Sequence, residues 1–73
     1  MATEISDLAT RAEAIRLPLK KWAAEAGVQV STIRRFTERA EGRTSTLARL
    51  RLALVAEEHR ILAHLQRIHG SAA

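Results

Sequence analysis

The chain has 73 residues, which predicts one small domain at most, with a marginal core. It has no cysteine, one Phe, one Trp and no Tyr, so disulfides and thiolate metal sites are excluded and the core must come from Leu, Ile, Val and Ala. A net charge of +4 points to a polyanionic partner or to a solvated basic surface, and no apolar run approaches the roughly 18 residues of a membrane span.

Thr3 or Ser6 can cap a first helix, in which Ile5, Leu8, Ala12 and Ile15 recur at helical spacing. Pro18 ends it, because proline lacks an N–H and disfavours helical geometry at Leu17. The same proline suits the first turn of a second helix, whose Leu19, Trp22, Ala23 and Ala26 share one face. Trp22 is therefore expected in the core, bracing the following helix near Phe36 or Leu47. Gly27 supplies a left-handed turn at little steric cost.

A third helix is predicted from about Val30 to about Ala40. At about 100° per residue, Ile33, Phe36 and Ala40 fall on one side, and Ser31, Arg34, Arg35 and Glu38 on the other. Gly42 is expected to be its stop. Thr44 or Ser45 can cap a fourth helix with Leu47, Leu50 and Leu54 as its apolar stripe. No glycine or proline follows until Gly70, so residues 45–69 read either as one long helix or as two with a bend near 55–58.

The segment LPLKKWAAEAGVQVSTIRRF, residues 17–36, carries the most chemical information. Its spacing of Ala23, Gly27 and Ile33 resembles the helix-turn-helix of the Cro and lambda-repressor type, the Xre family. The resemblance covers about residues 5–55 and extends to STLARLRLAL as the helix after the recognition helix. It implies an all-α, compact four- to five-helix bundle with the helix-turn-helix at about 18–40 in a single domain spanning 1–73. Three positions depart from the family pattern: Leu19 replaces a frequent polar residue, Gln29 a frequent Ser or Thr cap, and Val30 a frequent base-reading side chain.

Carried over residue by residue, the resemblance puts Val30, Ser31 and Arg35 at base-contacting positions, with Arg34 close by. Arginine can donate two hydrogen bonds to the O6 and N7 edge of guanine, and Val30 could touch a thymine methyl. The alternative for either arginine is an ion pair with Glu38 on its own helix. Lys20, Lys21, Thr32, Arg39 and Arg43 are the candidate phosphate contacts, which fix register without reading sequence. Charge supports this placement: residues 20–51 hold eight of the twelve Lys and Arg but three of the eight acids.

Leu54, Ile61, Leu65 and Ile68 form a near-heptad seam over a C-terminal segment, residues 56–69, read as a dimer or partner interface or as a helix folded back on its own domain. His59, His64 and His69 are five residues apart, which suits no helical metal pair. No catalytic constellation is present, so the expectation is no enzyme, no cofactor, no metal, no small-molecule ligand and no membrane. The leading reading is a small sequence-specific double-stranded DNA-binding transcription regulator, a repressor acting as a homodimer on an inverted repeat, cytoplasmic and nucleoid-associated, prokaryotic or phage in style. The alternative is a protein-interaction module of the same fold, an antitoxin or anti-factor that grips a partner with its C-terminal helix.

Overall fold

A computed structural model of the chain describes residues 3–71. It contains four helices: α1 (Glu4–Ala14), α2 (Leu19–Ala26), α3 (Val30–Arg39) and α4 (Thr44–Ser71). The architecture is a compact all-α four-helix bundle. Residues 45–69 belong to one uninterrupted helix, so the bend considered near residues 55–58 is absent.

The first helix starts where its cap dictates. The Thr3 hydroxyl accepts from the Ser6 N–H at 3.3 Å, and Glu4 and Asp7 lie in the first turn, where negative charge complements the exposed N–H groups. The helix stops before Pro18 can act on it. Arg16 adopts a left-handed conformation at φ 55°, and the N–H groups of Arg16 and Leu17 donate back to the carbonyls of Glu13 and Ala12 at 2.9 and 2.8 Å. This double return satisfies two terminal carbonyls and turns Leu17 into the core. Pro18, expected inside the first turn of α2, stands one residue earlier as its extended N-cap.

The same device ends the next two helices. Gly27, at φ 71°, closes α2, and the Val28 N–H donates to the Ala23 carbonyl at 3.0 Å. Ala40, at φ 54°, closes α3, and the Glu41 N–H donates to the Phe36 carbonyl at 3.1 Å. The stop after α3 is therefore Ala40, not Gly42, and Ala40 is exposed instead of lying on the apolar face. Gly42 serves another purpose: a Cβ there would overlap the Phe36 ring, so only glycine lets the loop cross the ring so closely. Helix α4 begins with the Leu47 N–H donating to the Arg43 carbonyl at 2.9 Å, which places Thr44 and Ser45 inside its first turn instead of at the cap.

Helices α1 and α2 each pack against both α3 and α4, whereas α3 and α4 do not meet among the described residues. The core holds Ile5, Leu8 and Ala12 from α1, Trp22, Ala23 and Ala26 from α2, Ile33 from α3, and Leu47, Leu50, Ala53 and Leu54 from α4, with Leu17 from the α1–α2 connection. Trp22 is fully enclosed, and its indole N–H donates to the Leu50 carbonyl at 2.9 Å. Leu47 shares this core and Phe36 packs against it, and the indole hydrogen bond ties α2 to α4 at Leu50. Leu19 lies at the edge of its expected face and is exposed.

Candidate nucleic-acid interface

Helix α3 contributes a single fully buried residue, Ile33. Because α4 lies away from it, the rest of the helix is left to the surface. Counting about 100° per residue, Ser31 and Glu38 run along the outward midline. Arg34 leans to the α1 flank and Arg35 and Arg39 to the flank of the α3–α4 loop. Ser31, Arg34, Arg35 and Arg39 are all exposed. Val30 is half-buried and packs against the core, so its side chain is less available than the expected base contact requires. Thr32 is also half-buried.

Two surface depressions flank α3. One is a groove of about 590 Å³ against α1, lined by Ala12, Leu17 and Ile33 and by two cations, Arg16 and Arg34, and two carboxylates, Glu13 and Glu38. The other is a cleft of about 340 Å³ lined by Arg35, Arg39 and Arg43 together with Phe36, Glu41 and Gly42. Arg35 and Arg39 are four residues apart on one helix, a spacing at which like charges repel by roughly 0.2–0.5 kcal/mol. Gly42 lets the loop fold over Phe36 and so brings Arg43 to the same cleft.

The ion pairs divide the molecule in two. Arg11 of α1 grips Glu58 of α4, its Nε donating to Oε2 at 3.1 Å and its Nη2 to Oε1. Arg51 of α4 reaches Glu4 of α1 at 3.2 Å. Lys21 of α2 lies 3.7 Å from Glu57 of α4, and Arg60 lies 2.7 Å from the same Glu57 oxygen and 3.9 Å from Glu25 of α2. Every one of these pairs involves α4, and none involves α3. Among the described residues, Arg16, Lys20, Arg34, Arg35, Arg39, Arg43 and Arg49 form no ion pair, and neither arginine of the Arg34–Arg35 couple is tied to Glu38.

This division separates two of the expected phosphate contacts: Lys21 lies 3.7 Å from Glu57 of α4 with its side chain 51% exposed, whereas its neighbour Lys20 is unpaired and exposed. It also adds Arg16 and Arg49, two unpaired cations that the linear pattern did not single out. The signal for Arg16 lay in its place just before Leu17-Pro18, where α1 had to end in a turn that exposes the side chain.

Glu57 is the other residue that sequence reasoning missed. It is 4% exposed, and Arg60 Nη1 approaches its Oε1 off the line of a hydrogen bond, so the contact is ionic. The adjacent Glu25 carboxyl is pushed above its ordinary range, first by its hydrogen bond with Glu57, then by partial loss of solvent and by the charge of Glu57, against the opposing pull of Lys21 and Arg60. Across α1 and α4, the Arg11 guanidinium is pushed up by its hydrogen bonds to Glu58.

The expected C-terminal seam is split by the fold. Leu54 is 0% exposed and belongs to the domain's own core, because α1 and α2 cover α4 up to Glu57 and Glu58. Ile61 is half-buried at the boundary, while Leu65 and Ile68 are 45% and 52% exposed. The three histidines are exposed on the same helix, and among the described residues no group of three metal-ligating side chains converges. No helix of the described residues is long and apolar enough to cross a membrane. Compared with protein-family models, with curated proteins and with solved structures, the chain matches none.

Proposed function

We propose that this protein is a small sequence-specific double-stranded DNA-binding transcription regulator, a repressor that occludes its site by seating α3 in the major groove. The observation that carries this reading is the division of charge: Arg34, Arg35 and Arg39 of α3 and Arg43 of the loop after it have no carboxylate partner, while Arg11, Lys21, Arg51 and Arg60 are paired across α1, α2 and α4. Unpaired arginines set four residues apart cost stability, and a phosphate backbone is the partner that offsets such a cost. The connection through Gly27 and the spacing of Ala23, Gly27 and Ile33 agree with the helix-turn-helix resemblance.

In this reading Arg34 and Arg35 address base edges on either side of the outward midline, with Ser31 between them. Lys20, Arg39 and Arg43 hold phosphates and fix the angle of α3 in the groove. Val30 and Thr32, half-buried, position the start of the helix and reach DNA only at its edge. The outward side of the first turns of α3, with Ser31 and Arg34 exposed, is the part that enters the groove, as in docking geometries where the first turns of the helix meet the bases.

Binding selection from a random duplex library at near-physiological salt tests this function, because salt sets the background of non-specific binding. Enrichment of a defined half-site supports it. A library that emerges without sequence preference, while the protein remains folded, overturns it.

A further inference from the structure

A third depression lies away from α3, where the α1–α2 connection and the start of α2 meet α4. It measures about 420 Å³, within the roughly 300–1,000 Å³ of small-molecule pockets, and no residue of α3 lines it. Its walls follow from local structure. The left-handed turn at Arg16 buries Leu17 and leaves the Arg16 side chain at the surface. Lys21 stands in the first turn of α2. Glu57, Arg60, Ile61 and His64 share one face of α4 by their helical spacing.

The groove is cationic. Arg16, Lys21 and Arg60 line it with a single carboxylate, Glu57, and Arg67 lines it further along α4. Glu57 lies 3.7 Å from Lys21 and 2.7 Å from Arg60, so one negative charge is shared between two cations, and Arg16 forms no ion pair. Glu25 approaches Arg60 at 3.9 Å but does not line the groove. Even with Arg67 set aside, the lining side chains carry two positive charges in excess.

A second observation points to a ligand. Glu57 continues the stripe of Leu50 and Leu54 and is 4% exposed, yet its Oε1 accepts no hydrogen bond among the described residues. A buried acceptor without an aligned donor is costly, and an aliphatic residue at this position would join α4 to α2 without that cost. A simple latch between the helices would need neither the open groove nor the unpaired Arg16.

We infer that this groove binds a small phosphate monoester. Such a group carries a charge of about −2 near neutral pH and offers three acceptor oxygens, which suits Arg16, Lys21 and Arg60. A hydroxyl of the same molecule donates to Oε1 of Glu57, and its carbon frame lies on Ile15, Pro18 and Ile61. The site uses no residue of α3 and stands independently of the DNA reading. Because the DNA backbone offers similar phosphate chemistry, the test separates the two sources.

Titration of the full chain with adenosine monophosphate and with inorganic phosphate, followed by amide chemical shifts, is that test. Both probes are expected to shift residues 15–21 and 57–64, the monoester about tenfold more tightly because it also meets Glu57 and the apolar wall. Arg16→Gln is expected to weaken the monoester about tenfold with helix content kept, since Arg16 forms no ion pair within the protein. Arg49→Gln makes the same change in net charge outside the groove and is expected to leave that affinity unaltered. Neither probe shifting these amides at about 10 mM would overturn the inference. Equal losses for Arg16→Gln and Arg49→Gln would also overturn it, by reducing binding to general attraction of anions. Displacement of the monoester by a random-sequence DNA duplex would overturn it as well, by giving the groove to backbone phosphate.

Discussion

The indole N–H of Trp22 donates to the backbone carbonyl of Leu50 at 2.9 Å, joining α2 to the middle of α4 across 28 residues of sequence. Both residues are fully buried. Helix α2 also packs against α3, so the bond ties one of the two helices that support α3 to α4.

Trp22→Ala is expected to remove about 3–5 kcal/mol, the cost of deleting a large aromatic from a packed core. In a domain of this size that is most or all of the folding free energy. Urea unfolding followed by helix content measures it. Trp22→Phe keeps much of the volume and loses the donor, so a milder loss of about 1–3 kcal/mol is expected. A Trp22→Phe variant as stable as wild type would show that the Leu50 bond contributes nothing net.

Arg35 and Arg39 are expected to separate specificity from affinity. Arg35→Ala should cost about 1–3 kcal/mol at the preferred site and relax selection at one base pair. Arg39→Ala should weaken all sequences alike and lower the salt slope by about one. Titrations of matched and mismatched duplexes at several salt concentrations distinguish the two. Equal, sequence-blind losses for both variants would reduce α3 to a non-specific cationic surface.

The two loop closures around α3 make opposite predictions. Ala40 holds a left-handed conformation that strains a side chain by roughly 1–2 kcal/mol, so Ala40→Gly is expected to be stabilising by up to about 1 kcal/mol once chain entropy is counted. Gly42→Ala forces a Cβ against the Phe36 ring and is expected to destabilise by about 1–3 kcal/mol. It should also displace Arg43 from the cleft shared with Arg35 and Arg39, which salt-dependent DNA titration would report. Thermal melts of both variants provide the check, and a destabilised Ala40→Gly would refute the strain.

The Glu25–Glu57 contact predicts a specific pH dependence. The folded-state pKa of Glu25 is raised, so the folded protein holds this proton more tightly than the unfolded chain does. Its stabilising contribution is complete below the ordinary glutamate value of 4.5 and is lost as pH rises through the raised folded value. Glu25→Gln keeps a neutral group beside Glu57 and should gain stability relative to wild type across that rise. Urea midpoints of the two proteins between pH 4 and 7 measure the crossover. A constant difference over this range would show that Glu25 does not titrate against Glu57.

Much of this architecture is legible along the chain because it depends on local chemistry. Thr3 caps α1, Gly27 turns between α2 and α3, and the spacings of Ile5-Leu8-Ala12 and Leu47-Leu50-Leu54 mark two core faces before any tertiary contact is known. The exposed side of α3, with Ser31, Arg34 and Arg35, follows from the same helical period.

Other features depend on what packs against what. Arg16 and Ala40 end their helices in a conformation that favours glycine, and nothing in their identity announces it; tertiary burial of Leu17 and the folding of the loop onto Phe36 compensate the strain. Leu54 and Leu65 are both leucines on one stripe, yet one is sealed in the core and the other lies in solvent, because α1 and α2 cover α4 only as far as Glu57 and Glu58. Lys20 and Lys21 are adjacent and chemically identical, but only Lys21 lies within reach of Glu57. The sequence by itself determined the helices, the core periodicity and the basic outward face of α3, since these rest on a fixed rotation per residue and on side-chain chemistry. Tertiary structure decided which cations are paired and which leucines remain uncovered, since both depend on distances between segments far apart in the chain.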